Sequence, residues 1–296
     1  MHYYSKHFFS LSSTERLLRL DREERRKEYR RQDYVSLDKI PTWRDENSIN
    51  DNEEEDAQVT SGGGLSNKVS LYKGDITLLE VDAIVNAANS SLLGGGGVDG
   101  CIHKAAGSCL FDECHSLNGC ETGKAKITCG YDLPARYVIH TVGPVARGHV
   151  GPSETSDLTA CYQNSLRLIL LLLTLFSVCV SGFPNEPAAD IALNTVKTWI
   201  EQNPDKITRV IFCVFLETDF NIYKKKMAVV FQGKFMVIYD VYALCLSLSK
   251  SFTFKWKLVL FIEYHLNRNA QSLSCKKPSI FPAQNSRGLS ACELAP

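Results

Sequence analysis

The sequence contains no CxxC pair, and its eleven cysteines are an odd number. Cys101, Cys109, Cys114, Cys120 and Cys129 lack zinc-finger spacing, which points to reduced, small apolar cysteines of a cytosolic or nuclear protein. Net charge is missing too. Lys+Arg and Asp+Glu both number 33, so there is neither the global basic field of a nucleic-acid binder nor the acidic excess of a solvating tail. The most apolar run, Leu168 to Val180, is broken by Thr174 and Ser177. A bilayer needs about 20 apolar residues, so this shorter run reads as a buried helix end entering a buried strand. Met1–Ser13 is basic and free of acids but has no apolar h-region. That argues against a secretory signal and is compatible with a mitochondrial presequence.

What is present divides into stretches of different character. Residues 14–31 place Leu17, Leu18 and Leu20 beside dense mixed charge, with Thr14 as N-cap. They predict a surface helix with i,i+4 ion pairs. Residues 45–64 carry an acidic patch, Asp51 to Asp56, and then Gly62–Gly64, the chemistry of a linker. From Ser66 to Met227 short apolar strands (Val69–Tyr72, Ala83–Val85, Tyr137–Thr141, Val210–Phe215) alternate with helical stretches (Val98–Ala106, Leu158–Leu172, Glu186–Gln202). Apolar strands in βα order predict an α/β fold, a three-layer α/β/α sandwich with a mixed, largely parallel sheet. The division expected is thus 1–65, 66–227 and an atypical tail, 228–296. The tail has eight basic residues against three acids (Asp240, Glu263, Glu293) and no clear period, so no second domain is expected there.

The segment 71–107, LYKGDITLLEVDAIVNAANSSLLGGGGVDGCIHKAAG, carries the chemistry. A strand ends in Asn-Ala-Ala-Asn, four glycines follow, and then a helix. Glycines at such a junction let a ligand approach the backbone, and their N–H groups with the helix N-terminus make an anion site. The run is neither a P-loop nor G-x-G-x-x-G. Alone, it fits a flexible loop as well as a phosphate site.

The ordered set GDIT, VDAIVNAANSSLLGGGGVDGCIHKAAG, YVIHTVGP and FPNEPAA resembles macrodomains of the MacroD type. The resemblance covers roughly residues 66–227. The charged segment Glu15–Arg31, Asp33-Tyr34 and the Trp43 region are similar to that family's N-terminal extension. It implies binding of ADP-ribose, removal of mono-ADP-ribose from Asp or Glu side chains of modified proteins, and deacetylation of O-acetyl-ADP-ribose. The partners expected are ADP-ribose and mono-ADP-ribosylated proteins, in nucleus and cytoplasm. A monomer with no cofactor, no metal, and no direct contact to nucleic acid or membrane is expected.

The resemblance also implies roles residue by residue, each beside a plainer one. Asp75 is a turn carboxylate or the acceptor for the adenine amino group, with the Ile76 N–H nearby. Phe215 is core or an adenine stacker. Asn89 caps the loop or contacts the distal ribose, and Gly95, Gly96, Gly97 and Val98 hold ribose and phosphates by backbone N–H groups. Asp99 and His103 share one helix face. The helix dipole alone accounts for a first-turn carboxylate, whereas the family ties both positions to catalysis. His140 reads as core. The second ligand loop of the family, Pro-Cys-Ile-Ser-Thr-Gly-Ile-Tyr-Gly-Phe, is shortened here. A strand Ser177–Val180 runs directly into Ser181, Gly182, Phe183 and Pro184, which leaves Gly182 and Phe183 as its remaining ligand contacts and opens two alternatives to the hydrolase, an ADP-ribose reader without turnover and an inactive splice form.

Overall fold

The computed structural model describes residues 14–48, 63–146, 150–170 and 183–231. The chain divides between Phe235 and Met236. The tail from 232 onward, the expected strand Ser177–Val180, and Gly182 lie outside the described residues, so those expectations receive no structural answer.

In chain order the elements are α1 (14–19), α2 (Arg22–Arg26), β1 (Val35–Ser36), α3 (Trp43–Ser48), α4 (Gly63–Ser66) and β2 (Val69–Lys73). A 3-10 turn, Ile76–Leu78, leads to β3 (Leu79–Glu80) and β4 (Ala83–Ala88). Then come α5 (Gly97–Ala106), α6 (Ser108–Ser116), β5 (Ala125–Cys129), β6 (Tyr137–Val142), α7 (Pro152–Leu170), α8 (Asn185–Gln202), β7 (Val210–Val214) and α9 (Glu217–Val230). Strand β2 pairs parallel with β7, β4 with β6, and β1 with β3, while β5 is antiparallel to β6.

Strand periodicity explains the three layers. Successive side chains leave opposite faces of a strand. Val69, Leu71, Ala83, Val85, Ile139, Val210 and Phe212 enter one core with Leu158, Tyr162 and Leu166 of α7, Leu193 and Val196 of α8, and Met227 of α9. Their neighbours Ile84, Val138, Ile211 and Cys213 face a second core with Ile102 and Ala106 of α5 and Leu110 and Cys114 of α6. Strands apolar on both faces must be covered on both, which gives the α/β/α arrangement. Pro187 falls in the first turn of α8, where its missing N–H costs no helical hydrogen bond.

Several boundaries differ from the sequence reading. The charged stretch 14–31 is not one surface helix. It breaks at Asp21, which caps α2 by accepting the Glu24 N–H at 2.8 Å. Thr14 is helical, and its hydroxyl meets the Tyr131 hydroxyl at 3.0 Å. Leu17, Arg25 and Tyr29 of this stretch are all buried. The Arg25 Nη2 donates to the carbonyls of Tyr131, Leu133 and Ala135 at 3.0–3.3 Å, threading this segment into a turn more than a hundred residues away. Arg26 grips the buried Glu80 carboxylate with two hydrogen bonds of 2.7 and 2.9 Å, and the Tyr29 hydroxyl adds a third. Burial alone would push Glu80 up, but the Arg26 and Tyr29 hydrogen bonds outweigh it and hold the carboxyl below its ordinary range. Both ends of the expected linker are helical, in α3 and α4. At the other end the body runs past Met227, because α9 continues to Val230 and Phe231 is buried in the first core.

Candidate functional site

The parallel strands set the site. In open α/β sheets ligands bind beyond the carboxyl ends of the strands. Here β4 ends at Ala88, β2 at Lys73 and β7 at Val214. Residues Asn89, Asp75 and Phe215 follow those ends, and Gly74 N–H donates to the Val214 carbonyl at 3.0 Å. The Ile76–Leu78 turn packs against α5. Asp75, Asn89, the glycines and Phe215 therefore rim the same end of the fold.

The loop from Asn89 to Gly97 is held by its own polar groups. The Asn89 amide donates to the Gly94 carbonyl at 2.9 Å, and its Oδ1 accepts from Ser91 N–H and hydroxyl at 2.9 and 2.6 Å. Leu92 sits at φ 62 with its side chain fully buried. A left-handed leucine is costly unless packing over-determines it, and such strain gathers at functional loops. Gly97 also has positive φ, and a side chain at Gly96 or Gly97 would meet only open space. One at Gly95 would come within 3.3 Å of Asp99 Oδ2 and 3.2 Å of Asn89 Nδ2. Gly100 in α5 was missed at the sequence level. A Cβ there would lie 2.3 Å from the Gly95 carbonyl, so its bare backbone lets the loop rest on the helix.

Asp99 is 3% exposed in the first turn of α5. Its Oδ1 accepts the Asn86 amide at 2.7 Å, which leaves Oδ2 facing the glycine loop. Asn86, another residue the sequence reading passed over, sits on β4 opposite His140 of β6. The signal available was the first asparagine of Asn-Ala-Ala-Asn, inward-facing in an apolar strand. Its Nδ2 also lies 3.1 Å from His140 Nδ1. Both amide protons are thereby spent, and turning the amide over would set Oδ1 against the Asp99 carboxylate. Donation to Nδ1 fixes His140 as the Nε2–H tautomer, which donates to Thr128 Oγ1 at 2.9 Å. Burial, with a smaller contribution from His103, pushes His140 down to about 3, so the ring stays neutral. Asn86 Oδ1 has no partner. An orphan of this kind costs about 1–3 kcal/mol, so the site accepts instability to hold Asp99 in one orientation.

His103 stands on the same face of α5, with Nε2 3.6 Å from Asp99 Oδ1, beyond hydrogen-bond length. Burial lowers its pKa, and the Asp99 charge and a hydrogen bond to the Leu92 backbone work against that shift. His103 Nε2 is buried without a partner. It lies beside two other donors, since ligand atoms of His103, Cys114 and His140 all fall within 4.8 Å of one another. Burial, then the charges of Glu113 and Asp99, pushes the Cys114 thiol up to about 12.

The remaining expected site residues fall in different surroundings. Asp75 Oδ1 caps the Ile76–Leu78 turn by accepting from Thr77 N–H and hydroxyl, and Oδ2 pairs with Arg31 at 3.1 Å. Ile76 is buried, and Val98 packs on the second core. Phe215 lies past the end of β7, not within it, and is 75% exposed, so the core alternative is set aside. Phe183 is 4% exposed and packs in the first core.

Comparison with known proteins identifies the family of the fold. The Macro domain family model matches residues 85–192. ADP-ribose glycohydrolase MACROD2 of Mus musculus is 64% identical over 222 residues, covering 72% of this chain and 46% of that protein. ADP-ribose glycohydrolase MACROD1 of Rattus norvegicus is 51% identical over 214 residues, covering 70% of this chain and 83% of that protein. The crystal structure of the Trypanosoma brucei macrodomain in complex with ADP-ribose superposes with a TM-score of 0.58 at 35% identity, over 72% of this chain and 86% of that one. The chain spans about half the length of the MACROD2 relatives it matches.

Proposed function

The chain belongs to the MacroD-type macrodomain family, and from that membership we propose that it binds ADP-ribose and hydrolyses the ester joining the distal ribose to an Asp or Glu side chain of a mono-ADP-ribosylated protein. The same reaction on O-acetyl-ADP-ribose releases acetate. The observation that carries the reading is Asp99, buried, oriented through Oδ1 by Asn86, and aimed through Oδ2 at the glycine loop. The open space over Gly96 and Gly97 admits the diphosphate and distal ribose against backbone N–H groups at the α5 N-terminus. Asp99 Oδ2 then accepts a proton from the attacking water, the ester C–O bond breaks as the water oxygen joins the carbon it attacks, and Asp99 passes the proton to the leaving oxygen, so that ADP-ribose and the free carboxyl separate. Positioning and a fixed electrostatic environment supply the rate. Asp75 and Phe215 take the adenine by hydrogen bond and stacking.

The test is single-turnover release of ADP-ribose from a Glu-modified acceptor, run beside an ADP-ribose titration. The parent should release ADP-ribose. Asp99→Ala should lose about two orders of magnitude or more in rate, the scale of a positioned acid–base group, and bind ADP-ribose nearly as before. Equal rates would make Asp99 structural.

A second reading, an ADP-ribose reader with little turnover, has its own support. The sequence between Val180 and Pro184 lacks the Ser-Thr-Gly-Ile-Tyr portion of the family loop, and Phe183 is spent in the core. Each charge-assisted hydrogen bond to phosphate contributes about 1.5–3 kcal/mol, so two or three missing bonds weaken binding by several orders of magnitude. Inserting Ser-Thr-Gly-Ile-Tyr between Ser181 and Gly182 should restore affinity. Equal affinity with and without the insert would refute this second reading.

A further inference from the structure

Two buried polar atoms beside Asp99 lack partners, His103 Nε2 and Asn86 Oδ1. Both adjoin the same trio of side chains, His103, Cys114 and His140. We propose that this trio is an inhibitory binding site for a borderline-soft divalent cation of the zinc class. Imidazole nitrogen and thiolate sulfur are the donors such ions prefer, in tetrahedral sites. Their ligand atoms lie within 4.8 Å of one another, and His140 Nε2 is already 3.6 Å from Cys114 Sγ. Bonds of about 2.0–2.3 Å require the widest pair to close by roughly 1 Å. Asp99 Oδ1, 3.6 Å from His103 Nε2, is within reach of the fourth position.

The protons balance without redox chemistry. The Cys114 S–H bond breaks, its proton leaves to solvent, and a sulfur–metal bond forms. The cation supplies the positive charge whose absence keeps the buried thiol protonated. His103 already has the right tautomer, because its bond to the Leu92 backbone leaves Nε2 as the free nitrogen. His140 moves its proton from Nε2 to Nδ1 and gives up Thr128. The Asn86 amide then turns over, so that Oδ1 accepts from His140 Nδ1, and Asp99 Oδ1, which the turned amide repels, swings to the cation as its fourth ligand. Metal-bound imidazoles commonly donate their second N–H to a carbonyl in this way. Cation binding thus gives the orphan His103 Nε2 a partner. It also removes the Asn86 hydrogen bond that orients Asp99, and hydrolysis slows. The cation binding stands on the geometry alone, whereas the inhibition rests on the hydrolase reading.

The experiment uses the full chain, with Co2+ as the optical probe and Zn2+ as the inhibitor. The parent should develop a thiolate-to-cobalt charge-transfer band, and Cys114→Ser should lose it. A Cys101→Ser/Cys109→Ser double variant, which removes the two exposed thiols among the described residues, should keep it. Excess Zn2+ should slow the parent at least ten-fold, reversibly with EDTA, and leave Cys114→Ser near its own metal-free rate. Should the serine variant fold poorly, Cys114→Ala serves for the same two readouts. No band in the parent, or a band and inhibition that survive loss of Cys114, would overturn the site. A parent that gives the Cys114-dependent band but never releases ADP-ribose would sink the hydrolase reading and leave the cation site standing.

Discussion

Acidification should unfold this protein earlier than its carboxylates require, because of His140. The ring is fully buried and held as the neutral Nε2–H tautomer between Asn86 and Thr128. Its folded pKa is pushed from 6.5 down to about 3, chiefly by burial. A depressed histidine pKa means that the unfolded chain binds the extra proton first. Stability from this group is therefore fully present above pH 6.5, falls as the pH drops below it, and levels off near 3. One pKa unit corresponds to about 1.36 kcal/mol, so the whole span amounts to about 5 kcal/mol, and the part lost between pH 7.5 and 5.0 is about 2 kcal/mol. Total stabilities run about 5–15 kcal/mol, so this loss is measurable. Urea unfolding at both pH values, for the parent and His140→Gln, isolates it. Carboxylates such as Glu80 titrate alike in both proteins and cancel. The parent should lose about 2 kcal/mol more than the variant over that interval. Parallel losses would refute the reasoning and mean that His140 is protonated in the fold or relieved by local opening.

Other expectations follow from single contacts. Gly100→Ala should displace the glycine loop, since its Cβ meets the Gly95 carbonyl at 2.3 Å. Overpacking of this kind costs about 1–3 kcal/mol, and calorimetry should show ADP-ribose binding weakened at least ten-fold; unchanged binding would mean that the loop is not the ligand site. Arg25→Ala strands the carbonyls of Tyr131, Leu133 and Ala135, and denaturant unfolding should report a loss of about 1–3 kcal/mol. An unchanged midpoint would show the N-terminal segment to be merely laid on the surface. Phe215→Ala should leave the melting temperature alone, because the ring is exposed, and weaken ADP-ribose by about 1–3 kcal/mol if it stacks on adenine.

Much of the architecture was written locally. The continuous apolar run Val210–Val214 makes a strand buried on both faces, and any strand so patterned needs a helix layer on each side. The glycine run between β4 and α5, and Asp99 and His103 four residues apart, are short-range facts that helix geometry converts directly into a shared face. The family resemblance carried the ligand, since spacing alone does not distinguish a phosphate loop from a flexible one.

What depended on contacts far apart in the chain was not legible there. The break at Asp21 and the burial of Arg25 follow from a docking surface supplied by Tyr131–Ala135, so the charged residues of 14–31 read as solvated until that surface exists. Asn86 looked like one polar residue in an apolar strand. Only the register of β4 against β6 sets it between Asp99 and His140, and only then does its amide fix a tautomer and a carboxylate. Cys114, apolar by sequence, meets His103 and His140 because α6 folds back over the sheet. The sequence by itself determined the periodic elements and the loop chemistry, because these depend on neighbours within a few residues. The tertiary structure decided which buried polar groups share a proton or a charge, because those energies depend on ångström distances between residues that the chain separates.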